Sequence, residues 1–151
     1  MEKEKLFLYN YLPKELISKK GNISIEKIKE IPLIGLYFGA LNCPPCNYFT
    51  RLLNKFYEKI NQNEKKFEII YCSLDESEED YNEYYNKMPW LSLSFDSEFL
   101  EKMGNDFDIQ GVPLFYIFTG KGKLIDEYGK KKIEKQNSQA LNIWMEKVKN
   151  I

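Results

Sequence analysis

Two cysteines stand three residues apart, Cys43-Pro44-Pro45-Cys46, where one hydrophobic pattern gives way to another. Before them, residues 32–39 (Pro-Leu-Ile-Gly-Leu-Tyr-Phe-Gly) form a continuous apolar run, as a strand covered on both faces requires. After them, Phe49, Leu52, Leu53, Phe56, Tyr57 and Ile60 recur at intervals of three and four, the spacing of an amphipathic helix starting near residue 44. Such a junction puts Cys43 at a helix N-terminus, where unpaired N–H groups and the positive end of the dipole favour a thiolate. The thiolate is the attacking form. Cys46 lies one turn on, within reach of Cys43. The chemistry is thiol–disulfide exchange: Cys43 attacks a substrate disulfide and Cys46 resolves the mixed disulfide. Prolines are tolerated in the first turn because their missing N–H groups had no partner there. They also withhold donors from the thiolate.

On the residues alone, two other uses of the pair stay open. Zinc takes four ligands, and Cys72 is the only other cysteine, so a metal site would need three cysteines and a carboxylate. The reading adopted is that there is no metal. A static disulfide is the other alternative, and it is seldom found in a reducing compartment.

The composition narrows the field further. The chain of 151 residues has no histidine, so no Ser-His-Asp or Cys-His pair and no imidazole metal ligand can exist. A nucleophile here must be activated by something else. At this length a chain buries roughly 70 % of its unfolded surface, enough for a core without staples. Hydrophobic content of 43 % argues for a globular fold rather than disorder. With 22 basic against 23 acidic residues, no global charge calls for nucleic acid or an anionic membrane. The charged start Met1-Glu2-Lys3-Glu4-Lys5 precedes only four apolar residues, Leu6 to Tyr9, too few for a signal-peptide core. The longest apolar stretch, Ile31 to Leu41, contains Pro32 and Gly35 and falls short of the roughly 20 residues of a membrane span. These features lead us to expect a cytoplasmic monomer, with the nucleus as an alternative location. They also suggest one domain over residues 1–151 with its core at about 12–148.

The elements that must position the pair follow from pattern and punctuation. Residues 14–25 read as a hairpin, with Leu16 and Ile17 in one arm, Gly21-Asn22 as the turn and Ile23 to Ile25 in the other; Ser24 could equally cap a short helix. Phe67 to Leu74 is a second buried strand. Asp75 to Ser77 offers caps for a helix reaching Tyr85, and Phe95-Asp96-Ser97 opens another. Val112 to Phe118 is a third strand, Thr119 to Gly122 a turn, and Lys123 to Tyr128 an antiparallel return. Leu141, Trp144, Met145 and Val148 stand at helical spacing. With right-handed crossovers the first two long strands are parallel and the last hairpin antiparallel. The fold class is α/β, a central mixed sheet flanked by helices, with an N-terminal β-hairpin.

Further residues have a structural and a functional reading. Pro113 enters a strand, where a trans peptide is the default. Cys72 lies within an apolar run and reads as a small buried hydrophobe. Asp75 and Glu76 read as cap and first-turn charge, or as an acidic rim that attracts a cationic substrate. Lys130 to Lys132 reads as a solvated face, and Tyr81, Tyr84 and Tyr85 as packing.

The sequence resembles the tryparedoxin and nucleoredoxin branch of the thioredoxin family from about Leu12 to Trp144. The resemblance rests on Tyr37-Phe38-Gly39-Ala40 before the cysteine pair, Phe56-Tyr57-Glu58-Lys59, Ser73-Leu74-Asp75-Glu76-Ser77, Tyr84-Tyr85-Asn86-Lys87-Met88-Pro89-Trp90-Leu91 and Ile109-Gln110-Gly111-Val112-Pro113. It implies a thioredoxin fold and a cis bond before Pro113. It implies a loop through Val112 that pairs with substrate backbone beside the attacked disulfide. It further implies a protein-disulfide reductase in cell redox homeostasis, with no bound organic cofactor. Its substrates would be disulfide-containing proteins, peroxidases among them, and its electron donor a dithiol, glutathione or a reductase. Asn42, Pro44, Val112, Pro113, Asp75 and Glu76 would meet the partner, with the acidic pair facing a cationic dithiol. Lys130 or Lys132 falls where the branch has an arginine. The chain departs from the branch in having Asn42 and Leu74 at tryptophan positions, and Asn142-Ile143-Trp144 for a Phe-Pro-Trp ending. Tyr37 stands where ordinary thioredoxins bury an acid, so that carboxylate cannot deprotonate Cys46. The alternative from another class is a thioredoxin-fold binding module that docks a partner through Asn42, Trp90 and Val112 with little turnover.

Overall fold

The structure, a computed structural model, describes residues 6–151; the charged start, residues 1–5, lies outside them. Among the described residues one seven-stranded sheet runs through the chain: β1 (Glu15–Ser18), β2 (Gly21–Ser24), β3 (Leu33–Gly39), β4 (Phe67–Ser73), β5 (Leu91–Ser92), β6 (Leu114–Thr119) and β7 (Leu124–Asp126). Their order across the sheet is β2-β1-β5-β4-β3-β6-β7. β3 and β4 are parallel in the register Leu33↔Phe67 to Gly39↔Ser73, while β6 runs antiparallel to β3, as expected. Every residue of β3 and β4 is buried, which explains their unbroken apolar character.

The alternation of side chains sorts the core into two layers. Leu33 and Tyr37 of β3 and Phe67, Ile69 and Tyr71 of β4 face α1 (Pro44–Ile60), α2 (Glu78–Tyr85), α4 (Gly129–Gln136) and α5 (Ala140–Lys149). Ile34, Leu36, Phe38, Ile70 and Cys72 face the other way, towards the segment from Leu6 to Leu16 and α3 (Glu98–Asp106). The first layer is densely aromatic: Phe56, Phe67, Phe115 and Trp144 meet with ring centroids 5.5–6.3 Å apart. Trp144 is further held through Nε1, which donates to Asp126 Oδ2 at 2.9 Å.

Several boundaries differ from the sequence reading. The N-terminal hairpin exists, but its chain reverses at Lys19-Lys20, with Ser18 paired to Gly21. Ser18 Oγ accepts from the Lys20 N–H and supplies the turn chemistry. Gly21 uses its left-handed φ of 110° as the first residue of β2 rather than within the turn. Both readings of Ser24 hold, because β2 ends there and Ser24 Oγ then caps a 3-10 turn over Ile25–Ile28. The third long strand begins at Leu114 rather than Val112, and the Val112–Pro113 bond before it is cis. β5, a 3-10 turn over Leu8–Tyr11 and helix α4 had no counterpart in the sequence reading.

Candidate active site

β3 ends at Gly39 and α1 begins at Pro44, leaving a four-residue connector, Ala40 to Cys43. Cys43 is the N-cap of α1, with an extended φ of −130°. Pro44 and Pro45 occupy the first two helical positions and carry no N–H. The first donor the helix offers is therefore the Cys46 amide, which lies 3.2 Å from Cys43 Sγ. The two sulfurs are at bonding distance and the Cα atoms are 5.2 Å apart. Cys46 is fully buried under the connector whereas Cys43 is half-buried, so an incoming sulfur can reach only Cys43. The cis Val112–Pro113 peptide faces the pair, with the Val112 carbonyl oxygen 3.8 Å from Cys43 Sγ.

Beneath Cys46 lies a cluster of buried hydroxyls. Tyr37 O–H donates to the Cys46 carbonyl at 3.2 Å and lies 2.8 Å from Thr50 Oγ1 and 2.9 Å from Tyr84 Oη. Burial, reinforced by Tyr84, pushes the Tyr37 phenol far above its ordinary pKa, so it stays neutral. A Cβ on Gly39 would come within 2.7 Å of the Tyr37 hydroxyl, so this tyrosine can fold over the strand end only because residue 39 is glycine.

The remaining expected site residues take distinct places. Asn42 is exposed and its Nδ2 donates to Asp80 Oδ2 at 3.0 Å, which sets the acidic first turn of α2 (Glu78, Glu79, Asp80) beside the residue preceding Cys43. Pro44 is exposed, Val112 half-buried and Pro113 buried; Trp90 is buried in the aromatic core and, contrary to expectation, has no face to offer a docking partner. Asp75 is half-buried behind the connector. Its Oδ1 accepts from the Leu41 N–H at 2.7 Å, and its Oδ2 accepts from the Tyr71 and Ser73 hydroxyls, each at 2.6 Å. Glu76 is exposed at the strand end. Lys132 pairs with Asp126 at 2.7 Å and Lys130 with Glu134 at 3.0 Å. Cys72 is fully buried on the opposite face of the sheet from Cys46, and burial pushes its thiol pKa up. Sequence reasoning missed Asn47, whose Nδ2 donates to the carbonyls of Leu41 and Cys43 at 2.8 and 2.9 Å. Its signal was an amide side chain four residues after an N-cap. Among the described residues no group of three potential ligands could hold a metal ion, and no helix is long and apolar enough to cross a membrane.

A dithiol pair at a strand–helix junction, facing a cis-proline loop on a mixed sheet, defines the thioredoxin-fold class of thiol oxidoreductases. Comparison with known proteins agrees: the chain belongs to the thioredoxin-like family, whose sequence profile matches residues 32–124. It is 40% identical over 122 residues to a tryparedoxin from Trypanosoma brucei brucei, covering 78% of this chain and 83% of that one. Nucleoredoxin from Xenopus laevis is 39% identical over 98 residues, 64% of this chain, and there the chain spans only 24% of its relative's length. The solved tryparedoxin from Trypanosoma brucei superposes with a TM-score of 0.82 at 34% identity, covering 90% of this chain and 96% of that one.

Proposed function

We propose that this protein reduces disulfides of other proteins, with Cys43 as nucleophile and Cys46 as resolving thiol. The Cys43 thiolate attacks one sulfur of a substrate disulfide, forming a mixed disulfide and releasing the other sulfur as a thiolate. Cys46 then gives up its proton, which the released substrate thiolate takes up through solvent, and attacks Cys43. The substrate's second thiol leaves, and two electrons have passed from the Cys43–Cys46 pair to the substrate. The observation that carries this reading is the asymmetry of the pair: a half-buried Cys43 on the helix N-terminus, and a Cys46 that is wholly covered.

In this reading the Val112–Pro113 loop pairs with substrate backbone beside the attacked bond, and Asn42 and Pro44 contribute to the contact. The oxidised pair returns to the dithiol by exchange with a donor. The exposed acids Glu76, Glu78 and Glu79 beside Asn42 support a donor of cationic character, such as a polyamine-linked dithiol, over glutathione alone. The setting is a reducing compartment, the cytoplasm. Disulfide-dependent peroxidases are among the substrates that the resemblance to the tryparedoxin branch implies.

Turbidity of insulin reduced through a dithiol donor tests the assignment. Cys43→Ser should abolish reduction and Cys46→Ser should accumulate mixed disulfides on Cys43; full activity in Cys43→Ser would refute it. Parallel runs with glutathione, a thioredoxin reductase and a bis-glutathionyl dithiol separate the donors.

A further inference from the structure

Three backbone groups of the connector between β3 and α1 are held by side chains. The Leu41 N–H donates to Asp75 Oδ1 at 2.7 Å, from the end of β4. The Leu41 carbonyl accepts from Asn47 Nδ2 at 2.8 Å, and the same amide nitrogen donates to the Cys43 carbonyl at 2.9 Å. Asp75 is itself fixed by the Tyr71 hydroxyl, which also lies 3.0 Å from the Gly39 carbonyl, and the Leu74 N–H donates to that carbonyl at 2.9 Å. One residue, Leu41, is thus gripped from both sides: at its N–H by a carboxylate from the loop that follows β4, at its C=O by an amide on the helix.

This grip bears on Cys43 because of the two prolines. A helix N-terminus ordinarily presents several free N–H groups to a capping atom, and a small displacement trades one for another. Here Pro44 and Pro45 offer none, and the sulfur has a single first-turn donor, the Cys46 N–H at 3.2 Å. Stabilisation of the thiolate by that one donor depends steeply on where the connector puts Cys43. We propose that Asp75 and Asn47 are positioning residues for the attacking thiol, acting on Cys43 through the backbone of Leu41 rather than by touching substrate. Asp75 in this role is engaged with the protein at both carboxylate oxygens. The rim that meets a cationic partner is then left to Glu76, Glu78 and Glu79.

The inference rests on Cys43 being the reactive thiol. The test therefore measures that thiol directly: the pH profile of iodoacetamide alkylation of Cys43 in the reduced full-length protein, resolved by mass spectrometry. If Cys43 is alkylated no faster than Cys72, the proposed function fails first. If Cys43 is reactive, Asn47→Ala and Asp75→Ala should each move the profile to higher pH, with alkylation at neutral pH slowed about two- to fivefold, the scale of one lost helix-terminus interaction with a charge. Asp75→Asn, which keeps an acceptor for the Leu41 N–H, should restore the wild-type profile. Profiles that stay unmoved in folded Asn47→Ala and Asp75→Ala would overturn the proposal. So would Asp75→Asn and Asp75→Ala both shifting to lower pH, since Asp75 would then act on Cys43 by its charge. Should Asp75→Ala fail to fold, Asn47→Ala alone decides, because alanine is well tolerated within a helix.

Discussion

The Tyr37 hydroxyl donates to the Cys46 carbonyl oxygen at 3.2 Å and is held there by Thr50 and Tyr84, which lie 2.6 Å from each other. A neutral phenol therefore stands under Cys46, within a cluster of hydroxyls that pair among themselves. Burial keeps this phenol from ionising at any working pH, so it can orient but not take up a proton.

The first prediction concerns that pairing. Tyr37→Phe removes one buried hydroxyl while Thr50 and Tyr84 retain each other. The expected cost is about 1 kcal/mol, the net worth of a typical buried hydrogen bond. Urea unfolding would measure it. The pH profile of disulfide reduction should keep its shape because no titrating group has been lost; a displaced profile would show that the Tyr37 hydroxyl handles a proton.

A second prediction concerns acid stability. Asp126 ties β7 to both C-terminal helices through Lys132 Nζ at 2.7 Å and Trp144 Nε1 at 2.9 Å, and its Oδ1 accepts from the Tyr128 N–H at 2.8 Å. Burial works to raise its pKa, but the hydrogen bonds from Lys132, Trp144 and Tyr128 and the charge of Lys132 outweigh it and leave the carboxyl below its ordinary value. A carboxyl depressed on folding contributes stability that is present above the unfolded pKa, about 3.9, and is lost as pH falls through the folded value. Asp126→Asn should accordingly be less stable than the wild type at pH 7, and the gap should narrow below about pH 4. Denaturant unfolding across pH 2–7 would show it, and a gap constant with pH would disprove the role of the charge.

Cys72 supplies the third. Its thiol is fully buried between strands on the face away from the redox pair, and burial raises its pKa. It should resist alkylation in the folded, reduced protein while Cys43 reacts. Cys72→Ala should leave disulfide reduction unchanged and cost about 1 kcal/mol, a common size for a single core substitution. Labelling of Cys72 at the rate of Cys43 would contradict this placement.

Much of the scaffold was legible in the residues because its signals are local. The unbroken apolar runs at Leu33–Gly39 and Phe67–Ser73, the helical spacing from Phe49 to Ile60, and the serine cap at Ser77 each declare an element within a short window. What escaped lacks such a signal. β5 is two residues long and exists because Leu91 and Ser92 are paired by β4 on one side and β1 on the other. Helix α4 reads Gly-Lys-Lys-Lys-Ile-Glu-Lys-Gln, with Ile133 as its one large buried side chain, so its pattern resembles a solvated stretch.

The candidate site divides along the same line. The sequence by itself determined the pair: Cys43 and Cys46 are three apart at a strand–helix junction, in a chain with no histidine, and helix geometry alone brings their sulfurs together and sets one on the N-terminus. Only the tertiary structure decided what surrounds them. It set Val112 against Cys43 across 69 residues, Asp75 on Leu41 across 34 and Tyr84 under Tyr37 across 47. Those meetings follow from the parallel pairing of β3 with β4 and the antiparallel return of β6, which bring strand ends distant in sequence together at one end of the sheet. Residue type and spacing can nominate such partners, but a hydrogen bond between them requires the fold that closes the distance.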